Sequence, residues 1–80
     1  MKWTVYILRC ADKSLYTGIT NNISRRYSEH KSGKGSKYVR SKKAVRIVHV
    51  ENFRSRSKAL KREAGIKRLT HREKLMLIRG

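Results

Sequence analysis

Two tyrosines, an arginine, a histidine and a glutamate have the types and spacings that could do chemistry. Tyr6 sits in Val5-Tyr6-Ile7 and Tyr16 in Tyr16-Thr17-Gly18. A phenol titrates near pH 10, so it accepts a proton at neutral pH only if a cation or a protonated neighbour favours phenolate. Arg26 and His30 are four residues apart, about 40° apart on one face of a helix. A guanidinium fork suits phosphate oxygens, and an imidazole moves protons near neutral pH. Leu60, Glu63, Ala64 and Lys67 follow helical spacing, which sets a carboxylate beside an apolar stripe. Each feature also has a plainer reading. The tyrosines could be a cross-strand aromatic pair worth about 0.2–1 kcal/mol. Arg26 could snorkel from a core edge, and His30 could be a satisfied core-edge histidine. The spacing leaves Glu63 open between an i,i+4 ion pair with Lys67 and a metal ligand. The other four acids have simple places: Asp12 in a turn, Glu29 facing outward with Arg25 and Ser32, Glu51 ending a strand, and Glu73 closing a capping box.

The elements that must position these groups read as β-β-α-β-α-α. Alternation over Met1–Cys10 predicts a strand with Trp3, Val5 and Ile7 on one face and Thr4, Tyr6, Leu8 and Cys10 on the other. Ala11-Asp12-Lys13 is a short turn into a second strand, Ser14–Thr20, which makes an antiparallel hairpin. The turn sets Tyr6 and Tyr16 nearly opposite on one face, with Gly18 beside them. A strand glycine often marks close approach of another group. Asn21-Asn22 offers a cap for a helix from Ile23 to Ser32, and Gly33 suits its C′ position. Residues 33–43 form a basic loop without apolar period. Val45–Phe53 predicts a third strand, with Val45 and Ile47 on one face and Val48 and Val50 on the other, covered on both sides. Helices follow over Arg56–Leu69 and, after the capping box Thr70-His71-Arg72-Glu73, to Ile78. The expectation is one α+β domain over residues 1–80, a three-stranded antiparallel sheet flanked by helices.

Composition narrows the partner. The 80 residues hold 22 Lys and Arg against 5 Asp and Glu, a formal net charge of +17. Solubility needs a magnitude of only about 2–8, so a polyanionic partner is expected. Residues 24–48 carry nine basic residues against Glu29, and residues 54–74 nine more against Glu63 and Glu73. They spread over strands, loops and helices rather than one amphipathic face, which disfavours a membrane surface and favours nucleic-acid phosphates. No apolar run approaches the ~20 residues of a membrane span. No secretory segment follows Met1, so the expected compartment is cytoplasmic. The single cysteine, Cys10, excludes an intramolecular disulfide and, with three scattered histidines, a four-ligand zinc cage.

The combination resembles a known family. Val5-Tyr6-Ile7 and Tyr16-Thr17-Gly18 look like the two halves of the signature that names the GIY-YIG nuclease superfamily. Arg26 and His30 follow Tyr16 by ten and fourteen residues, at the family's offsets for its helix arginine and a histidine or tyrosine. Glu63 matches its metal-binding glutamate. Lys34-Gly35-Ser36-Lys37-Tyr38 and Ala59-Leu60-Lys61-Arg62-Glu63 are similar to the small, stand-alone bacterial branch. There are departures. Valine replaces the first motif's glycine, as in that branch, and Ile19 stands where some members carry a lysine. No asparagine near the C-terminus matches the one some members place beside the metal, and the separate DNA-binding domain of many members is missing.

The resemblance implies a metal-dependent DNA endonuclease with Tyr6, Tyr16, Arg26, His30 and Glu63 as its catalytic set. Glu63 would hold one Mg²⁺ or Mn²⁺, an ion that keeps most of its water and takes few protein ligands. Arg26 would contact a phosphate oxygen as charge develops. Tyr6 or Tyr16 would take the proton from water, with His30 relaying it or holding a tyrosine. Arg25, Lys34, Lys37, Arg40, Lys42 and Lys43 would grip the DNA backbone, and Tyr38 would stack on a base. The competing readings are a non-catalytic nucleic-acid-binding module that keeps the fold, and a basic protein resembling a ribosomal component. The latter has no use for Glu63, Arg26 or the paired tyrosines.

Overall fold

The computed structural model describes residues 2–33 and 43–80. Three strands, β1 (Trp3–Cys10), β2 (Leu15–Thr20) and β3 (Ala44–Phe53), form an antiparallel sheet in the order β2-β1-β3. The helices are α1 (Ile23–Lys31), α2 (Arg56–Lys67) and α3 (His71–Arg79). This is the expected α+β order β-β-α-β-α-α, with ends that move by a residue or two. The basic segment 34–42 lies outside the described residues, and with it the expected DNA contacts of Lys34, Lys37, Tyr38, Arg40 and Lys42.

The central strand β1 is buried on both faces because helices cover both. Val5 and Ile7 pack with Ala59 and Ile66 of α2, ringed by Trp3, Leu15, Ile19, Val48, Phe53, Leu77 and Ile78. Tyr6 and Leu8 face the other way, against Tyr16, Ile23, Tyr27 and Ile47. The period-2 alternation of β1 thus divides the molecule into two cores.

Local chemistry fixes the joints. Lys13 adopts φ 70° in the hairpin turn, where Asp12 accepts hydrogen bonds from the Ser14 amide at 3.0 Å and hydroxyl at 2.6 Å. Asn22 caps α1 by accepting from the Arg25 amide at 3.0 Å. Gly33, at φ 81°, leaves that helix through the left-handed region glycine tolerates. Thr70 and Glu73 exchange both bonds of the capping box at the start of α3.

Two expectations are corrected. In β3, Ile7 pairs with His49 but Leu8 with Ile47, so the register shifts between them. An extra residue breaks the alternation. Val48 packs with the Val5 core, while Val50 stands opposite Tyr6 and is 49% exposed. Val48 and Val50 therefore do not share a covered face. In α2 the buried residues are Ala59 and Ile66, and Leu60 and Ala64 are exposed. The buried stripe is 59-63-66, and Glu63 lies within it rather than beside a Leu60 stripe.

Candidate active site

The site is built on the second face of β1. Tyr6 is 1% exposed, and its direct partner on β2 is Gly18; Tyr16 stands one step diagonal, opposite Leu8. Both tyrosines are on one face, but the pairing is offset rather than directly opposite. The glycine explains the offset. A Cβ at position 18 would lie 2.6 Å from the Tyr6 Oη and 3.2 Å from Tyr16 Cε2. The Tyr6 ring can lie across β2 only because Gly18 has no side chain.

Helix α1 brings the imidazole. His30, 2% exposed, sets Nε2 3.1 Å from the Tyr6 Oη. The Tyr6, Tyr16 and His30 rings form a triangle, with centroids 6.4, 6.0 and 5.5 Å apart. Burial is the largest influence on both titrating groups. It pushes the Tyr6 phenol above its ordinary 10.0, aided by Tyr16 and Glu63 and opposed by the Arg26 guanidinium beside it. It pushes His30 below its ordinary 6.5, and Arg26 pushes in the same direction. A protonated phenol thus faces a neutral imidazole at neutral pH. The other ring nitrogen, Nδ1, is buried with no hydrogen-bond partner among the described residues.

Arg26 enters from the same helix one turn earlier. It is half-buried, and its Nη1 is 3.2 Å from Glu29 Oε1. Glu29 does not face outward with Arg25 and Ser32 as its spacing predicts. The structure makes it the group that holds Arg26, a contact the i,i+3 rule could have found. The guanidinium stays charged, stabilised first by the Tyr6 hydroxyl.

Glu63 comes from α2. Its side chain is 17% exposed, and Oε2 is 3.4 Å from Lys67 Nζ. It is close enough to Tyr6 to act on it electrostatically. The carboxylate thus pairs with Lys67, as the i,i+4 spacing allows, and lies within electrostatic range of Tyr6. A shallow cavity of about 310 Å³ lined by Tyr16, Thr17 and Lys67 opens beside it. Among the described residues no three His, Cys, Asp or Glu side chains cluster. The oxygen donors near the site are the Glu63 carboxylate, the Glu29 carboxylate paired with Arg26, and phenol oxygens. Such hard, sparse oxygen donors fit Mg²⁺ or Mn²⁺ held mainly by water.

The whole pattern matches the GIY-YIG catalytic domain over residues 2–76. This chain belongs to the GIY-YIG family. A UPF0213 protein of Syntrophus aciditrophicus (strain SB) is 55% identical over 76 residues, 94% of this chain and 87% of that protein. The solution NMR structure of the UPF0213 protein BH0048 from Bacillus halodurans superposes with a TM-score of 0.63 at 42% identity, covering 98% of this chain and 83% of that one. The NMR structure of the protein EF2693 from E. faecalis gives 0.68 at 40% identity, over 99% and 84%.

Glu51 does more than end a strand. It accepts a two-pronged bond from Arg62 at 2.8 and 3.0 Å and pairs with His49 at 2.7 Å, tying α2 to β3 one residue before Glu63. Of the expected DNA contacts, Arg25 and Lys43 are exposed. Lys43 adopts φ 61°, and its carbonyl accepts from the Ala11 amide at 2.9 Å. No helix among the described residues is long and apolar enough to cross a membrane.

Proposed function

We propose that residues 1–80 form a single-domain, divalent-metal-dependent endonuclease that hydrolyses phosphodiester bonds of DNA, branched or repair intermediates included, in the cytoplasm. The observation that carries this reading is the Tyr6–His30 hydrogen bond at 3.1 Å with Arg26 beside it and Glu63 in electrostatic reach. Family membership supports the reaction class.

Arg26, steadied by Glu29, binds a non-bridging phosphate oxygen and strengthens that contact as charge develops. Tyr6 and His30 handle the proton. As water attacks phosphorus, the Tyr6 oxygen takes the water's proton and passes its own to His30 Nε2, which is neutral and already hydrogen-bonded to it. Tyr16 closes the other side of the ring cluster and positions Tyr6. Glu63 is the residue that would hold the ion; when bound, the ion supplies charge stabilisation at the leaving oxygen. Arg25 and Lys43, with the basic residues of 34–42, hold the backbone.

The Glu63–Lys67 pair favours a second reading, a non-catalytic DNA-binding module in which that carboxylate is only a salt-bridge partner. One experiment separates them. Plasmid, flapped and branched DNA are incubated with Mg²⁺ or Mn²⁺, with chelator, and with Glu63→Ala. The nuclease reading expects metal-dependent cleavage that the substitution abolishes while DNA binding persists. Failure of the wild type to cut any substrate with either metal moves the assignment to the binding module.

A further inference from the structure

A second cavity, of about 270 Å³, lies on the sheet face away from Tyr6. Its floor is apolar: Leu15, Val48, Leu75 and Ile78. Its rim carries the cations Arg9, Lys13 and Arg46, with His71 beside them. Among the described residues no carboxylate lines it. Arg9 and Arg46 are direct cross-strand partners of β1 and β3. Like charges in that position destabilise a sheet, and neither arginine pairs with an acid among the described residues. His71 opens α3, whose first-turn amides add partial positive charge. Leu75 is 42% exposed, so apolar surface reaches the mouth. Folding alone would not select two facing, unpaired arginines above an open apolar floor. An anion carrying a compact apolar body relieves both defects at once.

We propose that this cavity seats one nucleotide of a single-stranded DNA segment, with the base on the Leu15–Leu75 floor and its phosphate between Arg9 and Arg46. The volume is near the lower end of the roughly 300–1,000 Å³ of small-molecule sites, the scale of a single nucleotide. The inference rests on the DNA reading above but not on cleavage. The cavity shares Leu15 with the one beside Glu63, so a strand seated here next to a duplex at the Tyr6 site selects DNA that has both, such as a flap or fork.

The test is binding by fluorescence anisotropy in chelator, using a blunt duplex and the same duplex with a short single-stranded tail. The wild type binds the tailed DNA about fivefold or more tightly than the blunt DNA. Arg9→Gln with Arg46→Gln removes that difference and melts no lower than wild type, because a like-charge pair is gone. Lys58→Gln with Lys61→Gln removes the same charge from exposed positions of α2 and weakens both DNAs alike, keeping the ratio. An abasic tail loses the preference in the wild type, since phosphate alone does not fill the floor. Equal wild-type affinity for the two DNAs, a preference that survives the arginine substitutions, or one that survives an abasic tail would overturn the proposal. Absence of binding to either DNA would instead defeat the DNA reading itself.

Discussion

An alanine at position 18 would drive its Cβ to within 2.6 Å of the Tyr6 hydroxyl. The atom it meets is the far end of a ring locked between β2 and α1, so Tyr6 must leave His30 or the strands must part. Misplacement of a reacting group by about 1 Å costs on the order of 10²-fold in rate. Gly18→Ala should therefore lower kcat by about that factor with little change in DNA affinity. The check is single-turnover cleavage beside an anisotropy titration. Lys67 gives the second prediction at this scale. Its ammonium pairs with Glu63 Oε2 at 3.4 Å and competes with any cation for that carboxylate. Lys67→Ala should lower the Mg²⁺ concentration for half-maximal cleavage severalfold, whereas Glu63→Ala should abolish cleavage at every concentration. A metal titration at fixed ionic strength reads both. A rise in the Mg²⁺ requirement of Lys67→Ala would mean that the lysine orients Glu63 instead of competing for it.

Helix α2 is held at two levels. Ala59 and Ile66 are buried against β1, and Arg62 grips Glu51 of β3 with two hydrogen bonds. The fork fixes the rotation of the helix about its axis, and Glu63 follows directly in sequence. Both partners retain some exposure, so the pair is worth at most about 1 kcal/mol. Loss of that much lowers Tm by about 4–8 °C in a domain of this size. Glu51→Gln should show such a fall and, by loosening the rotation of α2, a larger fractional loss in kcat than in DNA binding. The Arg62 guanidinium also holds the Glu51 carboxyl below its ordinary 4.5. A depressed carboxylate contributes stability above its unfolded value and loses it as pH falls through its folded value. Acid unfolding of the wild type should thus include a component below pH 4.5 that Glu51→Gln lacks.

For the molecule as a whole, charge and burial set the conditions of use. At a net charge of +17, binding to duplex DNA should be dominated by counterion release. About 4–6 engaged phosphates give a slope of log K against log salt near −4 to −5. An affinity flat in salt would remove DNA as the partner. The buried imidazole imposes a second condition. His30 has its folded-state pKa below 6.5, so the unfolded chain binds that proton more readily. Its contribution to stability is present above pH 6.5 and is lost as pH falls from there to the folded value. Thermal melts should decline just below pH 6.5, and His30→Gln should flatten that part of the profile. Cleavage should fall in the same window, because a protonated imidazole no longer accepts from Tyr6.

The elements and their order were legible in the amino-acid sequence. Period-2 alternation in Trp3–Cys10, the Asn22 and Thr70 caps and Gly33 are local signals, each decided within a few residues. It also brought forward Tyr6, Tyr16, Arg26, His30 and Glu63, because their spacing in the chain resembles a known pattern. What it could not carry were relations between elements. The bulge that turns Val50 toward the Tyr6 face depends on how β3 meets β1. The fork from Arg62 to Glu51 joins residues eleven apart in sequence across two elements. The stripe 59-63-66, in place of one through Leu60, was chosen by which side of α2 the sheet covers. The protonation states of Tyr6 and His30 were likewise decided only by the tertiary structure. Desolvation depends on what surrounds a group in three dimensions, and no spacing along the chain records it.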